Sequence, residues 1–147
     1  MSEALVLILT LLTVKHIDLQ PTEAVVFFVE GQTGRISTAH KDYDYYLKLA
    51  QRSLERQHPV GVNITTQGQI VEVARADNDF STAILEADQE RMKVIFKGHD
   101  GTYYLLKNNP RFNQLSEILR QSIQDDSRVW FVAQKPRLII MDVIKTK

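Results

Sequence analysis

Apolar positions along this chain switch from a period of two to a period near three and a half, and the switch happens twice. The stretches AVVFFV (24–29) and RMKVIF (91–96) are strand-like in composition. Each runs into a glycine-bracketed turn, VEGQTGRIS at 29–37 and FKGHDGTYY at 96–104, and then a short second strand, RISTA (35–39) or TYYLL (102–106). Gly31 and Gly34 recur as Gly98 and Gly101. Glycine supplies the positive φ that a tight reversal needs, so both blocks predict a β-hairpin.

A helical period follows each hairpin. Tyr43, Leu47, Ala50 and Leu54 fall on one stripe with Tyr46 and Leu49 beside it; Phe112, Leu115, Leu119 and Ile123 do the same beside Ile118. Asn109 followed by Pro110 predicts an N-cap and a first helical residue. Pro59 and QDDS (124–127) predict the two ends. Two strands close each block: VGVNIT and QIVEVA around Gln67-Gly68, then RVWFVA and RLIIMDV around Lys135-Pro136. Through helix and strand the copies stay in step, Ser53 with Ser122, Leu54 with Ile123, Val60 with Val129, Val62 with Phe131. Leading strands in LLTVKHI and FSTAILEA extend the order.

The pattern therefore predicts an α+β protein built as an internal duplication of a ββαββ, or with the leading strands βββαββ, unit. It has antiparallel sheets, one helix per repeat and a pseudo-two-fold relation. The repeats are 1–77, with the apolar N-terminal segment, and 78–147, together one compact body.

Alternation along the strands assigns their faces. Val25, Phe27 and Val29 match Met92, Val94 and Phe96 and are expected to face the helix. The opposite face then carries Val26 and Phe28 in one copy, and Lys93, Ile95 and Lys97 in the other. In the last hairpin the face away from the core carries Trp130, Val132, Leu138 and Ile140. A second apolar face has to be covered, by the other repeat, by 4–14 or by another chain, which points to self-association or a protein partner.

Composition narrows the rest. The chain of 147 residues is 44% apolar and 24% charged, with 18 basic against 18 acidic residues, so no net field steers it to nucleic acid or lipid. It has no cysteine, which removes disulfides, thiol catalysis and thiolate metal sites and fits a cytoplasmic location. ALVLILTLLTV (4–14) is eleven residues long, too short to cross a bilayer core, and lacks a basic leader and a small-residue cleavage site. It reads as a buried strand or a short core helix, and no membrane partner is expected.

Candidate chemistry is sparse. His16 and Asp18 are two ligands at most, and His58 precedes Pro59 at a helix end. His40, Asp42 and Asp44 alternate in HKDYD, but KNNPR at the matching place keeps only capping groups, so helix capping is the shared role and no metal is assigned. His99 is answered by Gln32, so the turn is no repeated catalytic device. No nucleophile, phosphate-loop or paired-carboxylate motif occurs, and no catalytic residue or cofactor is assigned.

The candidate partner-binding residues are Val26, Phe28, Tyr103, Tyr104, Arg128, Trp130, Lys135 and Arg137. The leading expectation is a non-enzymatic binding or scaffolding protein that uses an apolar sheet face for self-association or a protein partner. A second reading follows from the last hairpin, where 127–147 holds five basic residues against Asp142 alone beside Trp130 and near the two tyrosines. Aromatic and basic side chains together suit single-stranded nucleic acid. With its leading strand each unit also resembles an OB-type barrel in element order, a fold that often takes such ligands. A third reading is a small enzyme with a pocket between the repeats, using His40, Asp42 or His99.

Overall fold

A computed structural model describes residues 9–146. It is α+β, with two helices among the described residues, and divides into two compact units on either side of Arg75–Ala76.

The first unit contains β1 (Thr10–Leu12), β2 (Val14–Leu19), β3 (Glu23–Phe28), β4 (Thr33–Ser37), α1 (Tyr43–Arg56), β5 (Val60–Ile64) and β6 (Ile70–Arg75). They form two antiparallel three-stranded sheets, β1-β5-β6 and β2-β3-β4, with a single parallel bridge from Arg35 to Gln69. Of the apolar segment 4–14, residues 10–12 are strand β1 with Leu11 and Leu12 buried, and 4–8 lie outside the described residues.

The second unit contains β7 (Asp77–Glu86), β8 (Arg91–Phe96), β9 (Tyr103–Leu106), α2 (Phe112–Asp125), β10 (Arg128–Gln134) and β11 (Ile139–Lys145). Its five strands close a barrel in the order β7-β8-β9-β11-β10, with β10 returning to β7. Only the β9–β11 pairing is parallel. The long β7 serves two neighbours: residues 77–80 pair with β10, and after an irregularity at Ser81–Ala83 the rest pairs with β8. In the first unit β1 and β2 divide the same course, β1 pairing with β5 and β2 with β3.

Both helices are amphipathic and 14 residues long, and both end in a left-handed residue, Gln57 (φ 55°) and Asp126 (φ 50°). The buried row in α1 is Tyr46, Leu49, Ala50 and Ser53, and in α2 Leu115, Ser116, Leu119 and Ser122. The apolar stripe is thus rotated from the expected one, and Ile123 is exposed. A serine sits in the buried row because it has a structural task. Ser53 Oγ donates to His58 O (2.6 Å) and accepts the Val14 N–H (3.0 Å), tying the helix end to β2. Ser122 Oγ donates to Ser127 O (2.6 Å) and accepts the Ser81 N–H (3.1 Å) on β7.

The start of α2 also differs from expectation. Its N-cap is Arg111, and Asn109 stands two residues earlier, its Oδ1 accepting the Arg111 N–H (2.9 Å). His40 Nδ1 accepts the Asp42 N–H (3.0 Å) before α1 in the same way. Neither N-cap side chain makes a capping bond.

Three face assignments need correction. In β3 the buried residues are Ala24, Val26 and Phe28, while Val25 and Phe27 are half-buried and Val29 is exposed. Val26 and Phe28 therefore face the core and present no free apolar surface. The cause is turn length: four residues join β3 to β4 and six join β8 to β9, so matching the glycines slips the strands by one, and one residue inverts every side chain. Val132 and Ile140 are likewise buried, because β10 and β11 shift register at Val132–Ala133. The matched glycines also do different work. Gly31 (φ 106°) and Gly101 (φ 91°) supply the positive φ, whereas a Cβ on Gly34 would lie 2.6 Å from Ile70 Cγ1 and one on Gly98 3.1 Å from Asp79 Oδ2.

Candidate functional site

The barrel core is aromatic at one end. Phe96 and Phe131 stack at 3.9 Å between centroids, and Tyr103 meets both edge-on at 5.2 and 5.4 Å. Burial, then the nearby Asp77 and Asp79, raises the Tyr103 hydroxyl above its ordinary pKa. His99, in the β8–β9 turn, lies edge-on to Phe131 at 5.4 Å, over this cluster.

A buried carboxylate holds that histidine. Asp79 on β7 is 4% exposed, and His99 Nδ1–H donates to its Oδ2 at 2.6 Å. Gly98 N–H donates to Oδ2 at 2.7 Å and Phe80 N–H to Oδ1 at 2.7 Å. Asp77 Oδ1 lies 3.6 Å from the other ring nitrogen, Nε2. Burial pushes the Asp79 carboxyl up, but the bonds from His99, Phe80 and Gly98 outweigh it and hold the group below its ordinary value. The absent Cβ at Gly98 is what lets the turn backbone approach so closely.

An open cavity of about 410 Å³ lies beside this pair, lined by Asn78, Asp79 and Phe80 of β7, by the turn at 97–99 and by Arg128 of β10. Phe80 points outward and carries two cations: the Arg128 guanidinium 4.6 Å and Lys97 Nζ 5.4 Å from its centroid. Further round the barrel the outward side chains of β8 are Arg91, Lys93 and Ile95, and that of Tyr104 on β9 stands directly opposite Lys93. Arg91 lies over the Tyr104 ring at 4.3 Å and pairs with Asp88 at 2.9 Å. Tyr104 N–H donates to Leu138 O, which brings the exposed turn holding Lys135 and Arg137 beside it.

Of the residues expected to bind a partner, Arg128, Tyr104, Lys135 and Arg137 lie on the outer surface of the barrel. Trp130 is half-buried, opposite Asn78 and Ile144. Tyr103 is core, as is usual for one of two adjacent strand residues, and Val26 and Phe28 belong to the core of the first unit. Asp77, Asp79, Phe80, Lys93 and Lys97 were absent from the expected set. Two acids at alternate positions in ADND, immediately before a strand, were the available signal. His40 and Asp42 bond to each other at the head of α1, and no cluster of three or more metal-ligating side chains occurs among the described residues. No helix among them is long and apolar enough to cross a membrane.

By its strand count, closure and helix position the second unit is an OB-type barrel in architecture. No family model and no curated protein matches the chain. Among solved structures it is similar to that of a pro-protein-glutaminase, at 20% identity and a TM-score of 0.43. The match covers 48% of this chain and 24% of that one.

Proposed function

We propose that the protein is a non-enzymatic binding protein and that the outer face of its barrel takes single-stranded nucleic acid. One observation carries this reading: two outward rings, Phe80 and Tyr104, each sit under cationic charge, Arg128 and Lys97 over the first and Arg91 over the second, with Lys93 directly opposite Tyr104. Bases stack on rings while phosphates follow the cations, which is how a strand is held without sequence readout. The centre of this face is β7–β9. The C-terminal hairpin contributes its border through Arg128, Lys135 and Arg137.

The test is a titration with mixed-sequence single-stranded DNA and RNA, read on the fluorescence of Trp130, the chain's one tryptophan. Saturable binding that weakens with salt is expected, and Tyr104→Ala should weaken it about 5- to 150-fold. No binding at low salt, or binding indifferent to Tyr104, would sink the reading.

A protein partner or a second copy on the same face is a second reading. Leu85 (51% exposed) and Ile95 (37% exposed) favour it, on strands paired through Leu85–Lys93 and Ala83–Ile95. Sedimentation of the wild type and of Ile95→Lys decides it: an assembly lost in the variant supports self-association. We further infer that the two units are copies of one element order. The equal helices, the left-handed caps and the paired serine ties support that origin.

A further inference from the structure

The two aromatic stations on the barrel differ. Arg91 above Tyr104 is already paired with Asp88, whereas Lys97 and Arg128 above Phe80 have no ion pair among the described residues. Of the charged groups lining the cavity, the one carboxylate, Asp79, is saturated by three donors, and both cations are left without an anion. Arg128 is also ordered in advance: its guanidinium lies on the Phe80 ring and Nη1–H donates to Asn78 O at 3.4 Å. A planar fork held in place loses little freedom when it meets a phosphate.

The first unit has none of this. The Val29 N–H donates to Thr13 O as the Lys97 N–H donates to Phe80 O, and Leu12 faces Val60 as Asp79 faces Val129. Thr13, Val29, Pro59 and Leu12 thus stand where the barrel has Phe80, Lys97, Arg128 and Asp79; both cations are gone, and the Thr13 N–H is met by the Glu30 carboxylate instead (3.0 Å). Cations that one unit carries around a cavity of ligand size, and the other lacks at the matching positions, mark a specialised place rather than a requirement of the fold.

Resting on the nucleic-acid reading, we propose that this cavity receives a terminal phosphate of the strand, the phosphomonoester meeting Lys97 and Arg128 while the adjoining base lies against Phe80. The barrel then prefers phosphorylated strand ends. A terminal monoester carries close to two negative charges at neutral pH against one on an internal diester, and two unneutralised cations favour the doubly charged group.

The experiment is calorimetric titration of the full chain with one short mixed-sequence oligonucleotide in three forms: 5′-phosphorylated, 3′-phosphorylated, and hydroxyl at both ends. One phosphorylated form should bind about tenfold tighter than the unphosphorylated one. Lys97→Gln and Arg128→Gln should abolish that preference, whereas Lys93→Gln should weaken all three forms alike. Equal affinity of the three forms for the wild type, or a preference that survives both cavity variants, overturns the inference and leaves the nucleic-acid reading standing. Failure of all three to bind overturns that reading and the inference with it. Urea midpoints of the variants within experimental error of wild type show that the fold is intact, and all three substitutions are at exposed positions.

Discussion

Asp79 stands in β7 where the first unit has Leu12, and that one exchange turns a core position into the anchor of a turn. Its carboxylate accepts from His99, Gly98 and Phe80, and the sum of these bonds holds the acid below its ordinary pKa. A depressed folded-state pKa adds stability that is complete above the unfolded value, about 3.9, and is lost as pH falls through the folded one. Asp79→Asn should cost about 1–3 kcal/mol in urea unfolding at pH 7, since it weakens charge-assisted bonds to a buried group. The gap between variant and wild type should persist down to pH 5 and close below about pH 4. A gap that narrows between pH 7 and 5 would show that the ionised carboxylate is not what stabilises the turn. Little of this was legible in the sequence. ADND has the composition of a loop, and its inward alternation matters only once the strand is known to begin at Asp77 rather than Phe80.

The elements themselves were largely legible, because their periods are strong and their punctuation is local. Both helices and the hairpins at 24–39, 60–74, 91–106 and 128–143 lie within about two residues of where alternation, glycine and proline put them. The β2–β3 and β7–β8 reversals, by contrast, are legible only as leading strands. What misled was the assumption that matched glycines carry matched strands. Two extra residues between β8 and β9 break that link, and Val26 and Phe28 change faces as a result. The serines were visible as a matched pair, yet nothing in one dimension shows that each joins a helix end to the leading strand. Their task is testable. Ser53→Ala and Ser122→Ala remove the acceptor of a backbone N–H that is buried in each unit, Val14 and Ser81. An orphaned buried donor costs about 1–3 kcal/mol, so each variant should lower the urea midpoint by a corresponding amount with little change in slope. A neutral result for either would mean that the tie is redundant with helix packing.

At the scale of the whole chain the charges cancel, 18 against 18, and that balance argued against nucleic acid. Cancellation in the sum says nothing about distribution. Asp79 is turned inward to its donors, Asp88 holds Arg91 and Glu86 holds Lys107, so these acids of the barrel strands and their turns are spent on local pairs. Lys93, Lys97, Arg128, Lys135 and Arg137 remain as exposed cations without an ion pair among the described residues, and Arg91 is only partly available. Counterion release then sets a measurable number: for single strands the logarithm of affinity falls with the logarithm of salt at about 0.7 per phosphate neutralised. Five free cations predict a slope of about −3.5, and Arg91, once drawn from Asp88, would steepen it to about −4. Lys93→Gln should flatten the slope by about 0.7, whereas Tyr104→Ala should lower affinity at every salt concentration and leave the slope alone. That pair of responses separates charge from stacking on one surface. A wild-type slope near zero would mean that the cations are not in contact with phosphate, and Leu85 and Ile95 would then mark the face for a protein.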